Sequence, residues 1–509
     1  MSDWSEGYLV EIGYTYGYYS ELNPLKARLP LLKTGYAPPA IGTACELGFG
    51  HGLSANMHAA AGTAEWYGTD FNPSHAAFAQ DLATATGAHL FDEAFADFCN
   101  RPDLPDFDFI GLHGIWSWIS EANMHHIVDF LRRKLKVGGI CYISYNTYPG
   151  WNTVAPIRHL LTQHASTMSA AGIGVQGRVD AALDFADALM NTNTLYGKAN
   201  PNAAARLKGI RNNDRSYLAH EYLNECWVPM YFSEISKMLS SAKLNFACTA
   251  TYREHIDALN LSDEQQTMLR DIPDTTFRET VRDFMLNQQF RRDYWVRGGR
   301  TLPSLQQLDA LREERIVLNV PRADVKLEAS GFRGAATLNE EVYKPILDFM
   351  ADGQPRSLGE IEAAVKPSGK TFNQVVQAAL VLVGKGDASP ANPAEVVEAV
   401  RSRTSALNDR ILAMAPGGRQ VNYLASPVLG GGIHVTNIGQ MLLLARQKGH
   451  KTDAAAIDYA YQQFSAQGKR MAKNGVAISD PEENKAEFRR EAQTLLDKTL
   501  PIQKALGIA

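Results

Sequence analysis

The stretch TACELGFGHGLSANMHAAAGTAEWYGTDFN, residues 43–72, places three glycines between an apolar run and a helix-forming run. The apolar run ends at Leu47 and predicts a buried strand, and LSANMHAAA predicts a helix that ends at Gly62. A second strand-like run, EWYGT, then ends at Asp70. A strand, a glycine turn, a helix and a second strand make up the repeating unit of a parallel sheet, so this stretch directs the chain to an α/β fold.

The spacing of the glycines indicates what the turn holds. Gly48, Gly50 and Gly52 follow Glu46 in the pattern ExGxGxG, and Leu53 occupies the position where a dinucleotide fingerprint needs its third glycine. Glycines allow close backbone approach, the helix N-terminus offers free N–H donors, and an acid at the end of the second strand accepts hydrogen bonds from ribose hydroxyls. The pattern is similar to that of class I methyltransferases, in which the loop faces the methionine part of S-adenosylmethionine. An ordinary tight turn is the alternative.

Predicted strands and helices continue to alternate beyond this unit. AHLFDEAFADF predicts a third strand that reaches Asp97 and Phe98, DFDFIGLHGIW a fourth that ends at His113, and ICYISYN a fifth after a Gly-Gly pair. Five such units predict an α/β, Rossmann-like parallel sheet. In such a sheet Asp97 is placed to meet the adenine amino group and Phe98 to border the ring, whereas Asp97 capping a loop is the alternative. His113 is expected to line the cofactor site.

The charge balance and the cysteine content exclude several classes of function. Lys and Arg number 50 against 55 Asp and Glu, and the net charge of -5 gives the chain as a whole no reason to coat nucleic acid or an anionic membrane. The five cysteines form no CxxC pair, which predicts reduced core thiols and no zinc site. No apolar run reaches about 18 residues and the N-terminus lacks a signal-peptide pattern, so we expect a soluble, cytoplasmic protein without a metal.

A set of longer motifs carries a specific resemblance over about the first 300 residues. The motifs are GYYSELNP, CELGFGHG, GTDFNP, ADF, LHGIWSWI, YNTYPGWN, HEYLNECWVPMYF and RDFMLNQQFRRDYW. In this order they resemble bacterial methyltransferases with a methyltransferase regulatory domain, among them the lysine methyltransferases acting on rickettsial outer-membrane protein. The resemblance implies S-adenosylmethionine as methyl donor and a lysine side chain of a protein as acceptor. It leaves the oligomeric state open, a homodimer included.

Methyl transfer from a sulfonium is an in-line displacement, so the enzyme must align donor and acceptor and exclude water. Tyr145, Asn146 and Tyr148 follow the fifth predicted strand and are expected to face the donor pocket, where a tyrosine orients an amine. The alternative for YNTYPGW is a rigid aromatic turn at Pro149 and Gly150.

Four tyrosines near the N-terminus, Tyr14, Tyr16, Tyr18 and Tyr19, predict a lid over the cofactor. Tyr18 and Tyr19 are the best candidates to touch cofactor or substrate. Aromatic side chains that pack an N-terminal helix onto the core would give the same pattern.

The candidate catalytic residues are therefore Tyr145, Asn146, Tyr148 and Tyr18, and the candidate cofactor-binding residues are Glu46, Gly48, Gly50, Gly52, Asp70, Phe71, Asp97, Phe98, His113 and Tyr19.

Composition and pattern divide the chain into four parts. The resemblance implies that residues 1–252 form the methyltransferase core, with a helical insertion at about 153–220, and that residues 253–302 form a helical regulatory segment. Residues 303–395 predict a small winged-helix-like module and residues 396–509 a helical C-terminal domain. Thr371 to Val383 has no Lys or Arg, which disfavours a DNA-recognition helix. Five arginines between residues 282 and 300 predict a basic patch for an acidic protein substrate, or else ion pairs and a solvated face.

Three functions remain open on the sequence. A protein lysine methyltransferase is favoured by the resemblance and by the extra helical domains. A methyltransferase for a small molecule or natural product is the second, and a non-catalytic protein that binds S-adenosylmethionine is the third.

Overall fold

The computed structural model describes residues 7–13, 15–170, 172–418, 421–473 and 475–509, so Tyr14 lies outside the described residues. A sheet of seven strands organises the first 300 residues. In chain order the strands are β1 (Thr43–Leu47), β2 (Glu65–Asp70), β3 (His89–Asp92), β4 (Phe107–Leu112), β5 (Leu135–Asn146), β6 (Leu244–Thr249) and β7 (Phe290–Arg297). In space they follow the order β3-β2-β1-β4-β5-β7-β6, and only β7 is antiparallel to its neighbours. The predicted α/β fold class is confirmed.

Helices cover both faces of this sheet. They are α1 (Pro24–Lys33), α2 (Leu53–Ala61), α3 (Pro73–Thr86), α4 (Phe95–Phe98), α5 (Glu121–Lys134), α6 (Ala155–Thr167), α7 (Gly174–Asn191), α8 (Leu195–Ala199), α9 (Pro201–Ile210), α10 (Arg215–Tyr222), α11 (Phe232–Ser240), α12 (Asp257–Asn260), α13 (Asp263–Arg270) and α14 (Thr275–Leu286). Successive strand residues face opposite cores: Phe109 packs with α1 and α2, and Ile110 with α5 and α11. Helices α6 to α10 form the predicted insertion and have an apolar core of their own.

Three boundaries differ from the sequence prediction. β3 ends at Asp92, so Asp97 and Phe98 lie in α4 and not at a strand end. β5 begins at Leu135, before the Gly-Gly pair. The segment predicted as helical, 253–302, contributes β7, so the sheet of the methyltransferase core extends to Arg297.

Strand β7 was not predicted from the sequence, because its charged residues are buried as ion pairs. Arg291 is 5% exposed and donates from Nε to Asp293 Oδ2 at 2.8 Å, and both lie on the face that carries Trp295. A pattern of arginines that suggests a solvated helix therefore belongs to the interior of a sheet.

The five arginines do not form one basic surface. Arg291 is enclosed in ion pairs, Arg282 pairs with Asp257 at 2.9 Å, and Arg297 donates to the carbonyl of Leu135. The alternative interpretation, ion pairs, describes two of the five, Arg282 and Arg291.

A compact middle module follows. Its elements are α15 (Ser304–Glu313), β8 (Arg315–Leu318), β9 (Glu328–Gly331), β10 (Gly334–Thr337), α16 (Glu340–Phe349), β11 (Arg356–Ser357), α17 (Leu358–Val365), α18 (Phe372–Lys385) and β12 (Ala388–Pro390). The strands β11, β8 and β12 form one sheet. Ser357 and Glu360 form a capping box at the start of α17. Eight residues of α18 are buried, so this helix belongs to the core of the module, and it ends at Lys385 because Gly386 adopts φ +85°.

The C-terminal module packs on the first sheet domain. Its elements are α19 (Ala394–Met414), β13 (Tyr423–Ser426), β14 (Gly431–His434), α20 (Asn437–Gln447), α21 (Asp453–Ala466), β15 (Ala472–Lys473), β16 (Val476–Ala477), α22 (Pro481–Thr494) and α23 (Leu500–Ala505). Leu407 and Ile411 of α19 share one apolar core with Leu53 and Met57 of α2. The helix behind the glycine turn is therefore held between two modules.

Within the described ranges, no helix combines the length and the apolar character needed to cross a membrane.

Candidate active site

A cleft of about 1120 Å³, including the part open to solvent, lies at the carboxyl ends of β1 to β4. Its walls are the loops that follow these strands, and residues of the N-terminal segment, among them Tyr8, Thr15 and Tyr19, complete it. This is the edge at which parallel α/β sheets bind ligands.

The glycine turn shapes one wall of the cleft. Gly48 and Gly50 line it with φ of 72° and 57°, a region that favours glycine. A Cβ at Gly48 would lie 2.3 Å from Ile115 Cδ1, so the turn and the loop after β4 pack without room for a side chain. Gly52 caps α2 and does not line the cleft, because it faces Ala79 of α3.

Asp70 holds the glycine turn and faces the cleft. Its Oδ2 accepts from the Gly50 N–H at 2.8 Å, and its Oδ1 accepts from the Asn72 N–H at 3.0 Å. The residue ends β2, is 8% exposed and lines the cleft beside Phe71. The carboxylate is thus oriented by the backbone before any ligand binds.

Glu46 places a second carboxyl group behind the turn. It is 2% exposed, and its Oε2 has no hydrogen-bond partner among the described residues. Burial, with the nearby charge of Asp70, raises the pKa of Glu46 well above its usual range. A hydrogen-bond donor or a cation in the cleft would give Oε2 its missing partner and would stabilise the ionised form of Glu46.

The third acid of the cleft is Glu93, which sequence reasoning missed. It directly follows β3, its Oε1 accepts from Arg101 Nη1 at 2.5 Å, and its buried Oε2 meets no donor in the described part of the chain. The two residues predicted for this position are not there: Asp97 is exposed, and Phe98 is buried against Phe130. The acid adjoining the end of the apolar run was the signal that could have found Glu93.

His113 and Tyr19 form the wall at the end of β4. Their rings stack with centroids 3.8 Å apart, and His113 Nδ1 lies 2.8 Å from the Tyr142 hydroxyl. Burial lowers the pKa of His113 to about 4, so the imidazole is neutral at neutral pH. Trp118 adds a further half-buried aromatic ring to the lining.

The N-terminal tyrosines divide between two environments. Tyr19 lines the cleft, whereas the Tyr18 hydroxyl lies 3.1 Å from His58 Nε2 and its ring packs against Tyr423 of the C-terminal module. The prediction that Tyr18 is catalytic is therefore wrong, because its side chain does not line the cleft. It packs the N-terminal segment onto the rest of the protein, as the alternative interpretation of the tyrosines stated.

The residues predicted after β5 also lie away from the cleft. Tyr145 is fully buried and donates its hydroxyl hydrogen bond to Asp293 Oδ2 at 2.7 Å. Asn146 is 2% exposed, and Tyr148 packs against Tyr231 with ring centroids 5.2 Å apart. The strand alternates, so the neighbouring Ser144, not Tyr145, reaches the loop of the cleft by accepting from the Gly114 N–H at 2.8 Å. The aromatic-turn alternative describes this segment.

The cleft fits S-adenosylmethionine. Its carboxyl groups, Glu46, Asp70 and Glu93, offer acceptors to ribose hydroxyls and amino groups, and two of them carry buried oxygens without a partner in the described chain. The glycine turn leaves room for the ligand beside the N-terminus of α2. Among the described residues no group of three or more His, Cys, Asp or Glu could hold a metal ion.

Comparison with known proteins also indicates a methyltransferase. Residues 45–143 match the family model of a methyltransferase domain, and residues 214–297 match that of a predicted methyltransferase regulatory domain. An uncharacterised protein of Synechocystis sp., sll1526, is 40% identical over 513 residues, which cover 99% of this chain and 100% of that protein. A structure of PKMT2 from Rickettsia typhi in complex with AdoHcy superposes with a TM-score of 0.70 at 20% identity, over 97% of this chain and 100% of that one, and so shares its fold. The chain belongs to the S-adenosylmethionine-dependent methyltransferases that carry a methyltransferase regulatory domain.

Proposed function

We propose that the chain methylates the amine of a lysine side chain on a protein. The observation that supports this most directly is the set of aromatic side chains that line the cleft, Tyr8, Tyr19 and Trp118, of which Tyr19 stacks on the neutral imidazole of His113. Aromatic faces accommodate an aliphatic chain that ends in a cation. These side chains are half-buried, as expected for a wall that a long side chain reaches from the surface. The sequence resemblance to bacterial protein lysine methyltransferases supports the same acceptor.

S-adenosylmethionine supplies a methyl group on a positively charged sulfur, and a lysine side chain can attack it only as the free amine. Aromatic walls withdraw the amine from water, and desolvation lowers the pKa of an ammonium group. His113, with a pKa of about 4, is too weak a base to keep the proton at neutral pH. We assign it a positioning role, as a hydrogen-bonding group held by Tyr142, and the proton leaves to solvent.

The test uses labelled S-adenosylmethionine and a cell lysate, followed by separation of proteins from small molecules and mass spectrometry of labelled peptides. The expected result is label on lysines of a discrete protein. Asp70→Asn should strongly reduce the label at cofactor concentrations that do not saturate the variant, and Asp97→Asn, an exposed site outside the cleft, should preserve it. Label confined to small molecules would refute a protein acceptor and favour a small-molecule methyltransferase.

A further inference from the structure

A second cavity lies between the regulatory domain and the end of α1, and it shares no lining residue with the cofactor cleft. It encloses about 1190 Å³, including the part open to solvent, between α14, β6 and the end of α1. Arg291 of β7 forms part of its floor.

Carboxyl groups outnumber basic groups around Arg291, whereas the lining as a whole balances four acids, Glu254, Asp257, Glu279 and Asp283, against four bases, Lys33, Arg278, Arg282 and Arg291. Arg291 donates to Asp283 Oδ1 at 2.6 Å, to Asp293 Oδ2 at 2.8 Å and to Glu279 Oε2 at 3.0 Å. One guanidinium group thus pairs with three carboxyl groups. Burial raises the pKa of Asp283 to about 7, against the opposing effect of Arg291.

Two buried oxygens at this floor have no hydrogen-bond partner among the residues that the structure describes. They are Asp283 Oδ2 and Gln288 Oε1, in side chains that line the cavity and belong to residues 2% and 4% exposed. Buried polar atoms in native proteins almost always have a partner. Both atoms are acceptors, so the partner that suits them is a donor of N–H or O–H groups.

We propose that this cavity binds a small organic cation with several N–H donors, of the ammonium or guanidinium type, at Asp283 and Gln288. The carboxyl groups gathered around Arg291 favour a cation at this point of the lining, and the pair of unpartnered acceptors favours one that donates more than one hydrogen bond. Lys33 and Arg278 also line the cavity, Lys33 being exposed, and they suit a carboxylate at the opposite end of the same ligand. A free amino acid and a simple diamine share the cationic chemistry, and only the former uses these two residues.

The test is calorimetric titration of the full chain with four probes: L-arginine, L-lysine, agmatine and cadaverine. We expect at least one to bind with a dissociation constant of about 1 mM or below. Tetramethylammonium, a cation without N–H donors, should not bind. Preference for the amino acids over agmatine and cadaverine would identify a ligand with a carboxylate, and the reverse order would identify an amine.

Variants locate the binding. Asp283→Asn keeps the shape of the side chain and the acceptor for Arg291 but turns the free acceptor into a donor, so it should weaken binding about tenfold or more. Asp271→Asn makes the same change of charge at an exposed residue outside the cavity and should leave affinity unchanged. If Asp283→Asn does not fold, Gln288→Met tests the second acceptor. Failure of all four probes to bind the folded protein, or equal affinity in the folded cavity variant and the wild type, would overturn the proposal.

Discussion

Replacing Asp70 by Asn should weaken S-adenosylmethionine binding strongly while leaving the fold intact. The carboxylate accepts one backbone N–H on each oxygen, from Gly50 at 2.8 Å and from Asn72 at 3.0 Å, and still faces the cleft. Asparagine preserves the size of the side chain and one acceptor. Its NH₂ group must oppose one of the two N–H donors, and no charge remains for the ribose hydroxyls.

The magnitude follows from these contacts. A hydrogen bond to a charged group contributes about 1.5–3 kcal/mol. Loss of one such bond to the ligand therefore corresponds to a decrease in affinity of about 10-fold to 150-fold. A smaller opposing effect is expected at Glu46, because the charge of Asp70 raises the pKa of that carboxyl group and the substitution removes it.

Titration calorimetry with S-adenosylmethionine measures the change, and thermal unfolding without ligand checks the fold. Asp97→Asn is the matched control, since it removes the same charge from an exposed side chain outside the cleft. Unchanged affinity in Asp70→Asn would refute the cofactor geometry. An equal loss of affinity in Asp97→Asn would instead support the sequence prediction that Asp97 contacts the cofactor.

Three further changes test other parts of the structure. Glu93→Gln should weaken cofactor binding about tenfold by calorimetry, because it removes the charge of a buried oxygen at the cleft; unchanged affinity would contradict its place there. Tyr145→Phe should lower the free energy of unfolding in urea by about 1–3 kcal/mol, because Asp293 loses one of its buried donors and keeps Arg291, with turnover per folded molecule unchanged; a large loss of turnover would indicate that Tyr145 acts in the active site. The contribution of His58 and His113 to the free energy of unfolding should fall as the pH drops from about 6.5 to 4, since burial lowers their pKa values to about 3 and about 4 and these two side chains bind more protons in the unfolded chain over that range. Each histidine accounts for up to about 1.4 kcal/mol per pH unit, so the difference in the free energy of unfolding between the wild type and His58→Asn, measured by urea denaturation at several pH values, should shift in favour of the variant as the pH drops.

The part of the site that the sequence predicts is the part built from local contacts. Glu46, Gly48, Gly50 and Asp70 lie at the cleft because a strand, a turn and a helix adjacent in the chain determine their positions. His113 joins them for the same reason, at the end of β4. The core position of α18 could also be predicted, from its lack of basic residues.

The rest depended on features that one sequence does not contain. Side chains alternate along a strand, so a shift of one residue decides whether Ser144 or Tyr145 faces the cleft. The sequence pattern of this strand does not indicate which of the two it is. Strand β7 pairs with β5, which lies more than a hundred residues earlier in the chain. The charge of Arg291 in β7 is compensated only in the folded protein, where Arg291 pairs with Asp283. Tyr18 faces a module nearly four hundred residues away along the chain.

The contact between α2 and the C-terminal module limits how this enzyme can be divided. Thr404 donates to the carbonyl of Ala60 at 3.0 Å, Asn392 to that of Ala61 at 3.0 Å and Arg403 to that of Gly62 at 2.5 Å, so the module closes the end of the helix that begins at the glycine turn. A catalytic fragment cut after the sheet would present these carbonyls and an apolar helix face to water. Excision therefore cannot yield a minimal methyltransferase without redesign of that face, and recombination that exchanged only the C-terminal module would have to preserve it. The match to the Synechocystis protein over 99% of this chain agrees with inheritance as one piece.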